Sequence, residues 1–194
     1  TGAIMKTINV TPAMPYGLVL DKNGDVWVRG AEGSLAVVQV SKGDQVKVYN
    51  GAKAPQCPYG IAADAAGRIY TAGGSCVGRF DPVTETWENL DLQGQGMQSG
   101  RGLAVDNKTG IWIGTPGNWR KLLAFYDPID GGVCYGLAWS RNPMQSISSD
   151  GTAMLWASVY YGPSNSKDEL ILVDKTGAIT TVALPRGERA QISA

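Results

Sequence analysis

The sequence predicts an all-β chain: a β-propeller of four four-stranded blades of about 43 residues, plus one extra outer strand, forming part of a larger ring. Three observations point there. A motif returns at a near-constant interval, an aromatic residue holds one position in every return, and the composition suits short strands joined by tight turns. The motif is Gly17-Leu18-Val19-Leu20-Asp21, then Gly60-Ile61-Ala62-Ala63-Asp64, Gly102-Leu103-Ala104-Val105-Asp106 and Ser146-Ile147-Ser148-Ser149-Asp150, at spacings of 43, 42 and 44 residues. The recurring aromatics are Trp27, Tyr70, Trp112 and Trp156. Gly at 26, Pro at 10, six Trp and eight Tyr against two Phe describe strands and turns rather than helices.

Each unit reads as strand, turn, strand, strand, strand. The motif is the first strand. Gly24, Gly67, Gly110 and Gly151 mark the turn after it, and the aromatic sits in the second strand. A third strand is expected at Leu35 to Val40, Cys76 to Phe80, Leu122 to Tyr126 and Leu170 to Val173, closed in the later units by Asp81-Pro82, Asp127-Pro128 and Asp174-Lys175. A more polar fourth strand follows at Gln45 to Tyr49, Thr86 to Leu90 and Ala178 to Leu184. In the third unit Gly132 to Ala138 is read as that outer strand. The competing reading, in which Cys134-Tyr135-Gly136-Leu137 echoes Cys57-Pro58-Tyr59-Gly60-Ile61 as a first strand, would leave the unit one strand short. The blades then run approximately 15–52, 58–95, 100–140 and 144–185 within one domain over 1–194.

The chain ends repeat each other. Thr1-Gly2-Ala3-Ile4 returns as Thr176-Gly177-Ala178-Ile179, so 1–10 is expected to be the outer strand of a preceding blade. A start without Met suggests a processed or truncated chain. Lys plus Arg equals Asp plus Glu at 17 each, which offers no general affinity for nucleic acid or an anionic membrane. No apolar run approaches the roughly 20 residues of a membrane-spanning helix.

Pro15-Tyr16-Gly17 through Asp25-Val26-Trp27, and Pro58-Tyr59-Gly60-Ile61-Ala62-Ala63-Asp64-Ala65-Ala66-Gly67-Arg68-Ile69-Tyr70, resemble the units of virginiamycin B lyase-like and NHL-type propellers. The resemblance covers essentially the whole chain. It implies a ring of six or seven blades, completed by further blades or by a partner chain. It also implies a lyase that works with a histidine and a divalent metal. This chain has no histidine, so that role transfers to no residue here, and a Ser-His or Cys-His pair is excluded as well.

The repeated residues have structural readings. The four aromatics are expected to pack blade against blade. Asp21, Asp64, Asp106 and Asp150 are expected to accept backbone N–H groups in turns rather than to share a metal, and neither metal nor cofactor is expected. In a propeller the loops before first strands and between second and third strands emerge on one face. Tyr16, Tyr59, Arg101 and Gln145 are therefore expected at the pore mouth, with Arg29, Trp119, Arg120, Tyr160 and Tyr161 at or near the second class of loop. Aromatic and Arg side chains are common anchors of contact surfaces, although Tyr16 and Tyr59 could equally pack around the channel.

Cys57 and Cys76 fall on that same face, within bridging range, and a disulfide is expected; two free thiols are the alternative. A bridge would place the protein outside the reducing cytosol, as a secreted or periplasmic chain. Cys134 has no assigned partner, and Asn9-Val10-Thr11 and Asn107-Lys108-Thr109 match the glycosylation pattern only formally. The functional expectation is a non-catalytic module binding a small molecule, glycan or protein at the pore-mouth face. A streptogramin-lyase-like enzyme with its catalytic residues outside this segment and a structural or assembly subunit are the alternatives.

Overall fold

The computed structural model describes residues 2–30, 36–50, 57–73, 76–90, 102–105, 110–114, 123–127, 132–137, 144–149, 155–159, 169–173 and 178–183. They contain sixteen strands and no helix. Sheet 1 comprises β1 (Pro15–Leu20), β2 (Val26–Gly30), β3 (Val37–Val40) and β4 (Val46–Tyr49); sheet 2 comprises β5 (Gly60–Ala63), β6 (Ile69–Gly73), β7 (Cys76–Asp81) and β8 (Thr86–Leu90). Sheet 3 holds β9 (Gly102–Val105), β10 (Ile111–Gly114), β11 (Leu123–Asp127) and β12 (Gly132–Leu137), and sheet 4 holds β13 (Met144–Ser149), β14 (Leu155–Val159), β15 (Glu169–Val173) and β16 (Ile179–Ala183). Every sheet is an antiparallel meander whose spatial order is its sequence order. Gly132–Leu137 is the fourth strand of sheet 3, paired with β11.

The hairpin between the first two strands forms because a carboxylate organises its turn. Asp21 accepts N–H bonds from Asn23 and Asp25 at 2.8 and 3.0 Å, and Gly24 takes the left-handed conformation that the turn requires. The same carboxylate accepts the Trp27 indole N–H at 2.9 Å. In sheet 2, Asp64 accepts the Arg68 N–H and the Tyr70 hydroxyl at 2.9 and 3.0 Å. Turn and core aromatic are thus tied by one acid six residues upstream, a link absent from the sequence expectation. Asp106 and Asp150 lie outside the described residues.

The sheets pack face to face, with their first strands succeeding one another in the order β1, β5, β9, β13. Between sheets 1 and 2 lie Trp27, Val37 and Tyr49 from one side and Ile69 and Phe80 from the other, with Val19, Ile61, Ala63 and Trp87 at the margin. Between sheets 2 and 3 lie Ala62, Tyr70, Ala72, Val77 and Leu90 against Leu103, Ile111 and Ile113, with Val105 beside them. Strand alternation explains the division: one parity of each sheet meets the following sheet and the other parity meets the preceding one. Each aromatic faces a residue of modest size across the first hairpin, Trp27 opposite Val19 and Tyr70 opposite Ala62, which leaves room for the ring. Full burial of such a ring contributes roughly 2–3 kcal/mol.

Residues 2–10 join none of the four sheets. Ile8 and Val10 instead pack with Ala13 against Val28, Val38 and Val40 on the face of sheet 1 turned away from sheet 2.

Candidate functional site

The candidate site lies at the sheet ends opposite the Asp turns, where first strands begin and second strands end. Its foundation is a covalent link. Cys57 and Cys76 form a disulfide with their Cα atoms 5.3 Å apart, joining the approach to β5 to the start of β7. The approach segment lies directly on the end of β6: a Cβ on Gly73 would sit 1.6 Å from the Pro58 carbonyl oxygen, so only glycine permits this contact. The Tyr59 N–H then donates to the Gly30 carbonyl at 3.1 Å, which carries the segment across from sheet 2 to sheet 1.

Arg29 is the internal brace of this junction. Its side chain is 1% exposed; Nε donates to the Cys57 carbonyl at 3.0 Å and Nη1 to the Ala36 carbonyl at 2.9 Å. Burial draws the guanidinium down to a pKa of about 10, which leaves it charged at neutral pH. Its Nη2 has no hydrogen-bond partner among the described residues. Arg29 stands at the end of β2, next to the loop between second and third strands where the sequence places it, and its planar fork satisfies carbonyls inside the sheet junction.

Two tyrosines stand above the brace. Tyr16 occupies the register irregularity between Pro15 and Gly17, where one extra residue turns a side chain away from the regular alternation. It is 57% exposed. Tyr59 is held at φ +82°, a left-handed conformation costly for a bulky residue. The two rings meet edge to face with centroids 5.0 Å apart. Close approach of the two first strands makes the pair possible, since a Cβ on Gly17 would lie 2.8 Å from the Tyr59 carbonyl oxygen. Gln145 falls in a matching irregularity of β13, between Met144 and Ser146. Arg101, Trp119, Arg120, Tyr160 and Tyr161 lie outside the described residues.

Among the described residues no group of three His, Cys, Asp or Glu side chains gathers to hold a metal ion. The chemistry on hand is aromatic surface beside a rigid, disulfide-tied backbone. The sequence pointed to Tyr16, Tyr59 and the disulfide through their loop class. The conformation of Tyr59 and the burial of Arg29 left no local signal, because both arise from contacts between sheets.

No protein-family model matches the chain, and no curated protein sequence does. Solved structures do. Virginiamycin B lyase from Staphylococcus aureus superimposes at a TM-score of 0.68 and 17% identity, over 88% of this chain and 55% of that one. A catalytically inactive histidine-to-alanine variant of the S. aureus lyase, with quinupristin, matches at 0.68 and 18%, over 90% and 57%. Hydrazine synthase of Kuenenia stuttgartiensis matches at 0.72 and 14%, over 94% and 53%. The chain therefore spans little more than half the length of these structures, and at such identities what they share with it is the β-propeller fold.

Proposed function

We propose that this chain is a non-catalytic binding module of a secreted or periplasmic protein, with Tyr16 and Tyr59 forming the contact surface for a small molecule, glycan or protein. The observation that carries the reading is Tyr59: a bulky residue held at positive φ beside an exposed, bulge-borne Tyr16. Strain of this kind costs on the order of 1–3 kcal/mol and persists where the surroundings enforce a geometry that function uses. The disulfide and the braced Arg29 do the enforcing here. A disulfide between residues 19 apart also supports an oxidising compartment.

The test separates binding from folding. Tyr59→Gly removes the ring yet suits the positive φ, so it is expected to keep or raise stability. Wild type and the Tyr16→Ala/Tyr59→Gly double variant would be compared on a glycan array and on a peptide array. The reading expects a wild-type ligand whose affinity falls about tenfold or more in the double variant. Equal retention of a ligand by both proteins contradicts it.

A second reading draws on the likeness to virginiamycin B lyase: an enzyme whose catalytic residues lie in sequence beyond these 194 residues. The absence of histidine from this chain would then confine its part to scaffold and substrate contact.

A further inference from the structure

Arg29 is a buried cation set between the two tyrosines. It stands opposite Gly17 in the register of β1 and β2, beside Tyr16, and the next residue, Gly30, accepts the Tyr59 N–H. The Cys57 and Ala36 carbonyls that accept its hydrogen bonds are neutral, and its buried Nη2 has no hydrogen-bond partner among the described residues. In a guanidinium one Nη2–H runs parallel to the Nε–H. Nη2 thus faces the side of the Cys57 carbonyl, two residues before Tyr59.

No described carboxylate balances this charge. Among the described residues of sheets 1 and 2, Asp21, Asp25, Asp44, Asp64, Asp81 and Glu85 all lie at the opposite, Asp-turn ends, and Glu88 is paired with Arg79. A charge held in a low-dielectric junction without a counter-ion is costly, and its field is screened less than that of a surface group. The surface standing over it carries the Tyr16 and Tyr59 rings, so that surface favours an anion.

The same corner narrows the kind of ligand. Main-chain groups that an extended peptide would pair with are already used: the Tyr59 N–H by Gly30, and the Cys57 and Ala36 carbonyls by Arg29. What the site offers is two rings inclined at 74°, each an apolar body with a hydroxyl tip. A sugar ring matches such a surface, with C–H groups on its faces and hydroxyls at its rim. We propose that the Tyr16/Tyr59 site takes a carboxylate-bearing saccharide, its sugar ring against the tyrosines and its carboxylate favoured by the charge of Arg29 beneath them. This rests on the two tyrosines being a contact surface and adds the charge and class of what they contact.

The probes are a trimer of galacturonic acid and the same trimer as its methyl ester, titrated calorimetrically into the protein in about 0.15 M salt, where distant surface charges are screened. The acid is expected to bind about tenfold more tightly than the ester, the scale of one unit charge acting over several ångströms. In Arg29→Gln the preference is expected to fall below about twofold, and in Tyr16→Ala/Tyr59→Gly both trimers are expected to lose about tenfold or more. The ratio of acid to ester is read within one protein, and the wild-type ratio needs no variant at all. Equal binding of acid and ester, lost in the tyrosine variant, overturns the carboxylate preference and leaves the tyrosine surface standing. Binding of the acid that survives the tyrosine variant overturns both. Binding of neither trimer overturns the saccharide assignment, and a tenfold preference unchanged in Arg29→Gln overturns the part given to Arg29.

Discussion

Thr71 shows how the repeat discriminates between neighbouring positions. It is fully buried, its hydroxyl has no hydrogen-bond partner among the described residues, and the equivalent positions are Val28 in sheet 1 and Ile113 in sheet 3. Replacing the hydroxyl by a methyl group removes an unsatisfied polar atom while keeping the branched shape. Thr71→Val is expected to raise the free energy of unfolding by about 1 kcal/mol, measured by urea titration. Tyr70 carries a pH signature. Burial, reinforced by the Asp64 carboxylate, pushes its phenol up to about 12 from 10.0, so the folded chain holds this proton longer than the unfolded one. The resulting stability is complete below pH 10 and is lost as pH rises through 12. Between pH 9 and 11 the wild type should therefore lose about 1 kcal/mol more than Tyr70→Phe, the effect of the other alkaline groups cancelling in the comparison. Equal losses would mean that the phenol titrates freely.

At the scale of elements, the strands were largely legible because their period is short and their turns are marked. Gly17, Gly60 and Gly102 open the hairpins and Asp21 and Asp64 close their first strands, which is why β1, β2, β5, β6, β9 and β10 fall where the motif places them. The Cys57–Cys76 bridge was legible from loop class alone. Its mechanical setting was not, since Gly73 lying against Pro58 and Arg29 reaching the Cys57 carbonyl depend on three separated segments meeting. The bridge closes a short loop, its ends 19 positions apart in sequence, and chain entropy assigns it about 3 kcal/mol. Reduction without other change is expected to lower the stability of the chain by about that amount in a urea titration. It should also loosen the Tyr59 platform, seen as faster exchange of the Tyr59 amide that donates to Gly30.

At the scale of the whole molecule, the sheets are joined by apolar faces of fixed parity, and the functional proposals depend on that joining. The Tyr16–Tyr59 pair exists only because β1 and β5 approach across the boundary between sheets. Sequence periodicity revealed that the units repeat. It did not reveal that one carboxylate would tie turn to aromatic, or that Arg29 would be buried, because a repeat identifies equivalent positions without saying what lies between units. The most direct test of face-to-face joining is a double-mutant cycle across sheets 1 and 2. Tyr49 and Phe80, from strands β4 and β7, have ring centroids 4.7 Å apart. With Tyr49→Leu, Phe80→Leu and the double variant, urea unfolding is expected to give a coupling energy of about 0.5–1.5 kcal/mol. Strict additivity of the two substitutions would contradict the packing of sheet 1 on sheet 2.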